Sequence, residues 1–229
     1  MRTIILTFLF LTALLPTTHV LANGNDGNRY SNILPREYRA EISASRSYLV
    51  TRDRRFRAHH RKHHDDVQKP VIIDVRTVEE YVGGHPPGAY SIPFPHIYNR
   101  QRDPAKGEYI PADPDAFVEA VESLGLQKDA MIITMCRTGY RSVLAANLLA
   151  RAGYTNVHNM WEGFVGRLKV NVVGDTVDLD SDGVISSDPY SGDLDGWANF
   201  AALPVSYKLK HRLLYKPYMY LYYSVEGER

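Results

Sequence analysis

The chain has 229 residues, with 27 Lys or Arg against 26 Asp or Glu, and 1 Cys. A formal charge of +1 gives no basis for a nucleic-acid partner, which would need a strongly basic face. One cysteine excludes an internal disulfide; in an oxidising compartment it points to a reactive thiol or an intermolecular bond, the plainer reading being a small buried hydrophobe.

In chain order, MR, the run IILTFLFLTALL and the small-residue ending at Ala22 have the n-region, h-region and cleavage site of a secretory signal peptide over 1–22. The run falls short of the roughly 20 residues that span a bilayer, and no later segment qualifies. The mature chain is therefore expected to start near Asn23, with no transmembrane segment after signal removal, in the periplasm or secreted. An N-terminal segment over 23–44 follows. Between Arg52 and His64, RDRRFRAHHRKHH carries six Arg or Lys, four His and one Asp, and reads as a polar insertion. His59 and His63, or His60 and His64, would lie one helical turn apart, a spacing that can chelate a transition metal; a solvated basic segment is the simpler reading.

The core alternates strand and helix. VIIDV at 71–75 is a short β-branched strand, TVEEYVG after it has helical character up to Gly83, and AYSIPF at 89–94 is a second strand. Asp113 or Asp115 caps a helix through AFVEAVESL, with Phe117, Val118, Val121 and Leu124 at helical spacing. AMIITM at 130–135 is a buried strand, Arg141–Ala152 a helix stopped by Gly153, and NVHNM at 156–160 a further strand. Strands separated by helices imply an α/β fold with a central parallel sheet covered by helices on both faces. Ligands in such sheets sit beyond the carboxyl ends of the strands, where Cys136 falls.

The stretch MCRTGYRS, 135–142, joins a strand to a helix. Such a loop points backbone N–H groups into one concavity, and the helix dipole adds positive potential, so the cradle favours an anion. That field, with Arg137 and Arg141 nearby, favours the nucleophilic thiolate of Cys136, and Gly139 gives the freedom for a tight turn.

Cys-Arg-Thr-Gly-Tyr-Arg-Ser resembles the active-site loop of the rhodanese family of sulfurtransferases. The likeness extends to IIDVRTVEEYVGGHPPGAYSIPF (72–94), GYTNVHNMWEGFVG (153–166) and GWANFAALP (196–204), so that it covers about 45–205 with interruptions at 52–64 and 170–195. The resemblance implies a three-layer rhodanese-like domain that moves sulfur from thiosulfate or a persulfide donor to a thiol-containing acceptor, protein or small molecule, or to cyanide. It implies Cys136 as the nucleophile and persulfide carrier, with no cofactor required. The loop residues Arg137, Thr138, Gly139, Tyr140 and Arg141 would hold the substrate, their N–H groups the persulfide and Arg141, with Arg137, the donor's charge. Asp74, Arg76 and Ser142 would brace the loop. Related phosphatases have five residues between Cys and Arg; the four here, 137–140, favour sulfur over phosphate or arsenate. A binding module without activity is the other alternative.

From Val170 to Tyr207 there are seven aspartates and no Lys or Arg. DLDSDGVISSD places Asp178, Asp180 and Asp182 at the first, third and fifth positions of an EF-hand-like loop with Gly183 at the sixth, but the twelfth is Pro189 and Asp188 stands one place early. A non-standard calcium site on these four aspartates and a solvated Asp-rich turn both remain open. The tail, 206–229, is basic and then rich in tyrosine, with Tyr215, Tyr218, Tyr220, Tyr222 and Tyr223 available to pack on the domain, pair as an edge strand or meet a partner.

Overall fold

The computed structural model describes residues 34–52, 68–99, 109–199 and 201–228. The expected signal peptide, the histidines at 59–64 and most of the basic insertion lie outside the described residues. Five parallel strands form the central sheet: β1 (Ala40–Ile42), β2 (Val71–Asp74), β3 (Tyr90–Ser91), β6 (Ile132–Met135) and β7 (Val157–Met160), in the spatial order β1-β7-β6-β2-β3. A separate antiparallel hairpin pairs β4 (His96–Asn99) with β5 (Tyr109–Pro111). The helices are α1 (Ala44–Arg52), α2 (Val78–Val82), α3 (Pro114–Glu122), α4 (Tyr140–Arg151) and α5 (Met219–Gly227).

Successive strand residues point to opposite faces, and the packing follows that rule. Ile73 and Ile132 join Phe117 and Val121 of α3 and Val143, Ala146 and Leu149 of α4 on one face. Ile72 and Ile133 meet Val50 of α1, Met160, Phe164 and Trp197 on the other. The α/β architecture with a central parallel sheet and helices on both faces is therefore as expected. Among the described residues, no helix is long and apolar enough to cross a membrane.

The chain leaves β2 outward to β3 and returns to β6 on the opposite side of β2. The carboxyl ends of β2 and β6 thus flank the point where the winding direction reverses, the usual place for a ligand crevice in an open sheet. Asp74 pairs with Met135 in register there, so the strand end before Cys136 lies beside that aspartate.

Several elements differ from expectation. The sheet reaches further toward the N-terminus than residue 45, because Ala40–Ile42 pairs with β7; three residues with a central Glu give little strand signal. Within the strand expected over 89–94, regular pairing is confined to Tyr90–Ser91; Ile92 and Phe94 N–H still donate to the Asp74 and Val75 carbonyls, but Pro93 between them has no N–H to continue the ladder. The tail forms α5, which buries Leu221, Tyr222 and Val225 against Val78, Tyr81 and Val82 of α2. Tyr222 is fully buried, meets the Tyr81 ring edge-on at 6.0 Å, and shares a 2.7 Å hydrogen bond with the Ser91 hydroxyl. Packing on the parent domain is thus where the tyrosine-rich tail goes, although Tyr220 and Tyr223 stay exposed.

The ends of the Asp-rich insertion are held side by side. Arg167 N–H donates to the Asp195 carboxylate at 2.9 Å, Asp195 N–H to the Arg167 carbonyl at 3.1 Å, and Leu168 bridges Leu194. A Cβ on Gly196 would stand 2.2 Å from the Val165 carbonyl carbon, so glycine is required where the two ends touch.

Candidate active site

Cys136 follows β6 directly and is 1% exposed. Gly139 N–H donates to its Sγ at 3.1 Å and the Ser142 hydroxyl lies 3.4 Å from the same sulfur. That hydroxyl also reaches the Gly139 carbonyl at 3.0 Å. It carries one proton, so it serves the carbonyl when sulfur is a thiol and can turn to the sulfur when sulfur is an anion. Gly139 is the N-cap of α4 with φ 94°, and a Cβ there would stand 2.3 Å from the Trp161 carbonyl oxygen. Glycine lets the loop close over the helix N-terminus, where unpaired N–H groups and the dipole favour negative charge.

The loop is held from the far side by the turn after β7. Phe164 N–H donates to the Cys136 carbonyl at 2.8 Å; Val165 and Gly166 N–H donate to the Arg137 carbonyl at 3.0 and 3.1 Å. With their carbonyls taken outward, residues 136 and 137 leave the loop's interior to N–H groups. Thr138 is half-buried and Tyr140 stands exposed at the rim.

Asp74 and Arg76, both buried, form an ion pair at 2.6 Å; Arg76 also donates to the Gly84 carbonyl at 2.7 Å, and its guanidinium stacks 3.9 Å from the centre of the Phe164 ring. Arg76 reaches the cysteine loop through Phe164. His85, in the same stretch, is a packed ring: it stacks on Tyr81 at 3.8 Å with Nδ1 3.0 Å from the Tyr81 carbonyl, and burial pushes its imidazole below the ordinary histidine range.

Glu80 is the residue that sequence reasoning missed. Both terminal nitrogens of Arg141 donate to its carboxylate, at 2.6 and 2.8 Å, so the arginine expected to receive the donor's charge is already paired. Glu80 also closes a capping box on α2, accepting from Thr77 N–H at 3.1 Å while its own N–H donates to the Thr77 hydroxyl at 3.4 Å. The pattern Thr-x-x-Glu at 77–80 was the available signal. Burial alone would raise the Glu80 carboxyl, but hydrogen bonds from Arg141, the charges of Arg141 and Arg76 and the Thr77 N–H together hold it down to about 2. A depressed carboxyl stabilises the fold above its unfolded value of 4.5, and that contribution disappears as pH falls through the folded value of about 2. The stability difference between wild type and Glu80→Gln is expected to be at most about 3 kcal/mol near neutrality and to close between those two pH values, as read by denaturant midpoints across pH.

Among the described residues, three carboxylates approach closely enough to share a metal ion: Asp178, Asp180 and Asp182 offer ligand atoms within 4.8 Å of one another. Asp188 is not part of that group. The carboxylates already accept loop N–H groups, Asp178 from Ser181 at 2.7 Å and Gly183 at 2.9 Å, and Asp182 from Val184 at 2.7 Å. The organising acid is Asp193, 1% exposed, which accepts from Leu179 and Ser186 N–H at 3.0 and 2.7 Å.

The model of the rhodanese-like domain matches residues 58–168. An uncharacterized protein of Rickettsia conorii is 32% identical over 96 residues, 42% of this chain and 69% of that protein. Thiosulfate sulfurtransferase 16, chloroplastic, of Arabidopsis thaliana is 38% identical over 92 residues, 40% of this chain and 68% of that one. Among solved structures, a rhodanese-like domain from Anabaena matches at 25% identity over 41% of this chain and 83% of that one, with a TM-score of 0.30.

Proposed function

Because the chain belongs to the rhodanese-like family, a family of sulfurtransferase type, we propose that it is a sulfurtransferase that carries sulfane sulfur on Cys136. In the first half-reaction the Cys136 thiolate attacks the outer sulfur of a thiosulfate or persulfide donor. A bond forms between Sγ and that sulfur, and the donor's own S–S bond breaks, releasing sulfite or a thiolate with the bonding electron pair. In the second, a thiolate or cyanide takes the outer sulfur and Cys136 leaves as thiolate. Charge balances in both steps, no metal or redox cofactor is consumed, and kinetics are of the ping-pong type.

One observation carries this reading: the Gly139 N–H and the Ser142 hydroxyl converge on Sγ at the N-terminus of α4. These donors suit the sulfur anion before attack, and the rest of the loop's inward N–H groups suit the persulfide anion after it. Asp74 and Arg76 act as braces, through Gly84 and Phe164. The N-terminal run of the sequence supports export, with residues 1–22 removed.

Intact mass of the purified protein before and after incubation with thiosulfate tests the reading. One added sulfur atom is expected, removed by cyanide with release of thiocyanate. A folded protein with a free thiol that gains no sulfur from thiosulfate or an organic persulfide would overturn it. The same spectrum from protein made in its native host reads the cleavage site, and a mass retaining residues 1–22 would overturn removal of the signal peptide.

A further inference from the structure

The charges around Cys136 form a short inventory. Asp74 cancels Arg76 in a buried pair. Glu80 cancels Arg141 through two hydrogen bonds, in a pair only 18% and 28% exposed on the two sides. Glu162, on the segment beside the loop, directs its carboxylate to the Ala44 N–H at the start of α1. His96 on β4 feels both Arg141 and Glu80; burial first and Arg141 second push its imidazole below the ordinary range, against the pull of Glu80, so it adds no full charge near neutrality. Arg137 is different: among the described residues its guanidinium has no carboxylate partner, and the residue is half-buried and adjoins Cys136 in the chain. Among the described residues, the cradle therefore offers one uncompensated cation, Arg137, and the helix N-terminus.

A Cys136 thiolate already uses much of that positive potential. Thiosulfate brings two further negative charges, whereas a persulfide or thiosulfonate centre brings one. We propose that Glu80 is a specificity-determining residue: by holding Arg141 in a closed ion pair it tunes the site toward monoanionic sulfane donors and against the thiosulfate dianion. The inference rests on the sulfurtransferase reading above and concerns only which donor that site prefers. Glu80 acts through Arg141 and touches no reacting atom, so it is a positioning residue whose readout is donor charge.

Thiosulfate and methanethiosulfonate form a suitable pair of probes, since both present an outer sulfur on an oxidised sulfur centre and differ by one charge. Attack on methanethiosulfonate gives the same Cys136 persulfide and releases methanesulfinate with the electron pair of the broken S–S bond. The full chain is assayed with each donor and cyanide, as wild type and as Glu80→Gln, which keeps an acceptor for Arg141 and for Thr77 N–H while removing the charge. With Arg141 no longer neutralised, kcat/KM for thiosulfate is expected to rise relative to methanethiosulfonate by on the order of tenfold, through KM. An unchanged ratio, including both donors falling together, overturns the inference.

A second variant avoids any folding effect at Glu80. Arg137→Gln removes the uncompensated cation and is expected to lower kcat/KM for both donors by on the order of tenfold or more. Full activity with both donors would show that Arg141 is the anion receptor after all, and would overturn the inference while leaving sulfur transfer in place. Failure of wild type to take sulfur from either donor overturns the inference together with the proposed function.

Discussion

Cys136→Ser is expected to lower sulfur transfer by at least about a thousandfold while leaving the fold in place. The substitution changes one buried atom in a site whose donors remain: Gly139 N–H and the Ser142 hydroxyl can both serve a serine oxygen in place of Sγ. The cost to stability is about 1–2 kcal/mol, from the smaller atom in a packed site and its stronger need for hydrogen bonding. Chemistry is lost for a different reason. A serine hydroxyl stays protonated here, no base among the described residues is within hydrogen-bond reach to take its proton, and oxygen is a hard nucleophile toward a soft sulfane sulfur. Thiocyanate release, the added mass of one sulfur and a thermal melt separate the two effects. A variant that keeps wild-type turnover would remove Cys136 from the reaction, whereas one that is inactive and unfolded would place its role in packing.

How far the site was legible in sequence depends on how local each part of it is. Strand β6, the loop and α4 are contiguous, so the apolar run before Cys136, the glycine at 139 and the periodic residues after Arg141 located them with the nucleophile at a strand end. Helix α2 was legible in the same way, through the helical character of TVEEYVG and the stop at Gly83. The partner of Arg141 was not, because Glu80 is 61 residues distant and meets it only when β2 and β6 lie side by side. Its visible signature, the capping box, reports what Glu80 does for its own helix and is silent about the second carboxylate face. Helix α5 was illegible for another reason. Tyrosine follows both helical and strand contexts, and here Tyr222 is buried while Tyr220 and Tyr223 are exposed, so residue type within the run does not mark the inner face. The ordering comes from Tyr81 and Ser91, which lie far back in the chain.

Gly163→Ala, outside the cysteine loop, is expected to damage the site nearly as badly as a change within it. Gly163 has φ 76°, a conformation that disfavours any side chain, and a Cβ there would stand 2.6 Å from both the carbonyl carbon and oxygen of Arg137 and 2.7 Å from the Thr138 nitrogen. None of these atoms is the end of a flexible side chain, so relief requires the two backbones to move apart. They are also the backbones joined by Phe164 N–H to the Cys136 carbonyl and by Val165 and Gly166 N–H to that of Arg137. Separation would stretch those bonds, let residues 136 and 137 turn their carbonyls inward, and carry the Phe164 ring off the Arg76 guanidinium. The combined cost is about 2–4 kcal/mol of stability, from the unfavourable φ and the overpacking. A displacement of the loop by even an ångström also costs about a hundredfold in turnover, because attack needs the outer sulfur aligned with Sγ. Melting temperature and single-turnover persulfide formation, measured on the same sample below its transition, check both parts. A variant that melts early yet loads sulfur at the wild-type rate would show that the turn after β7 supports the fold without shaping the loop.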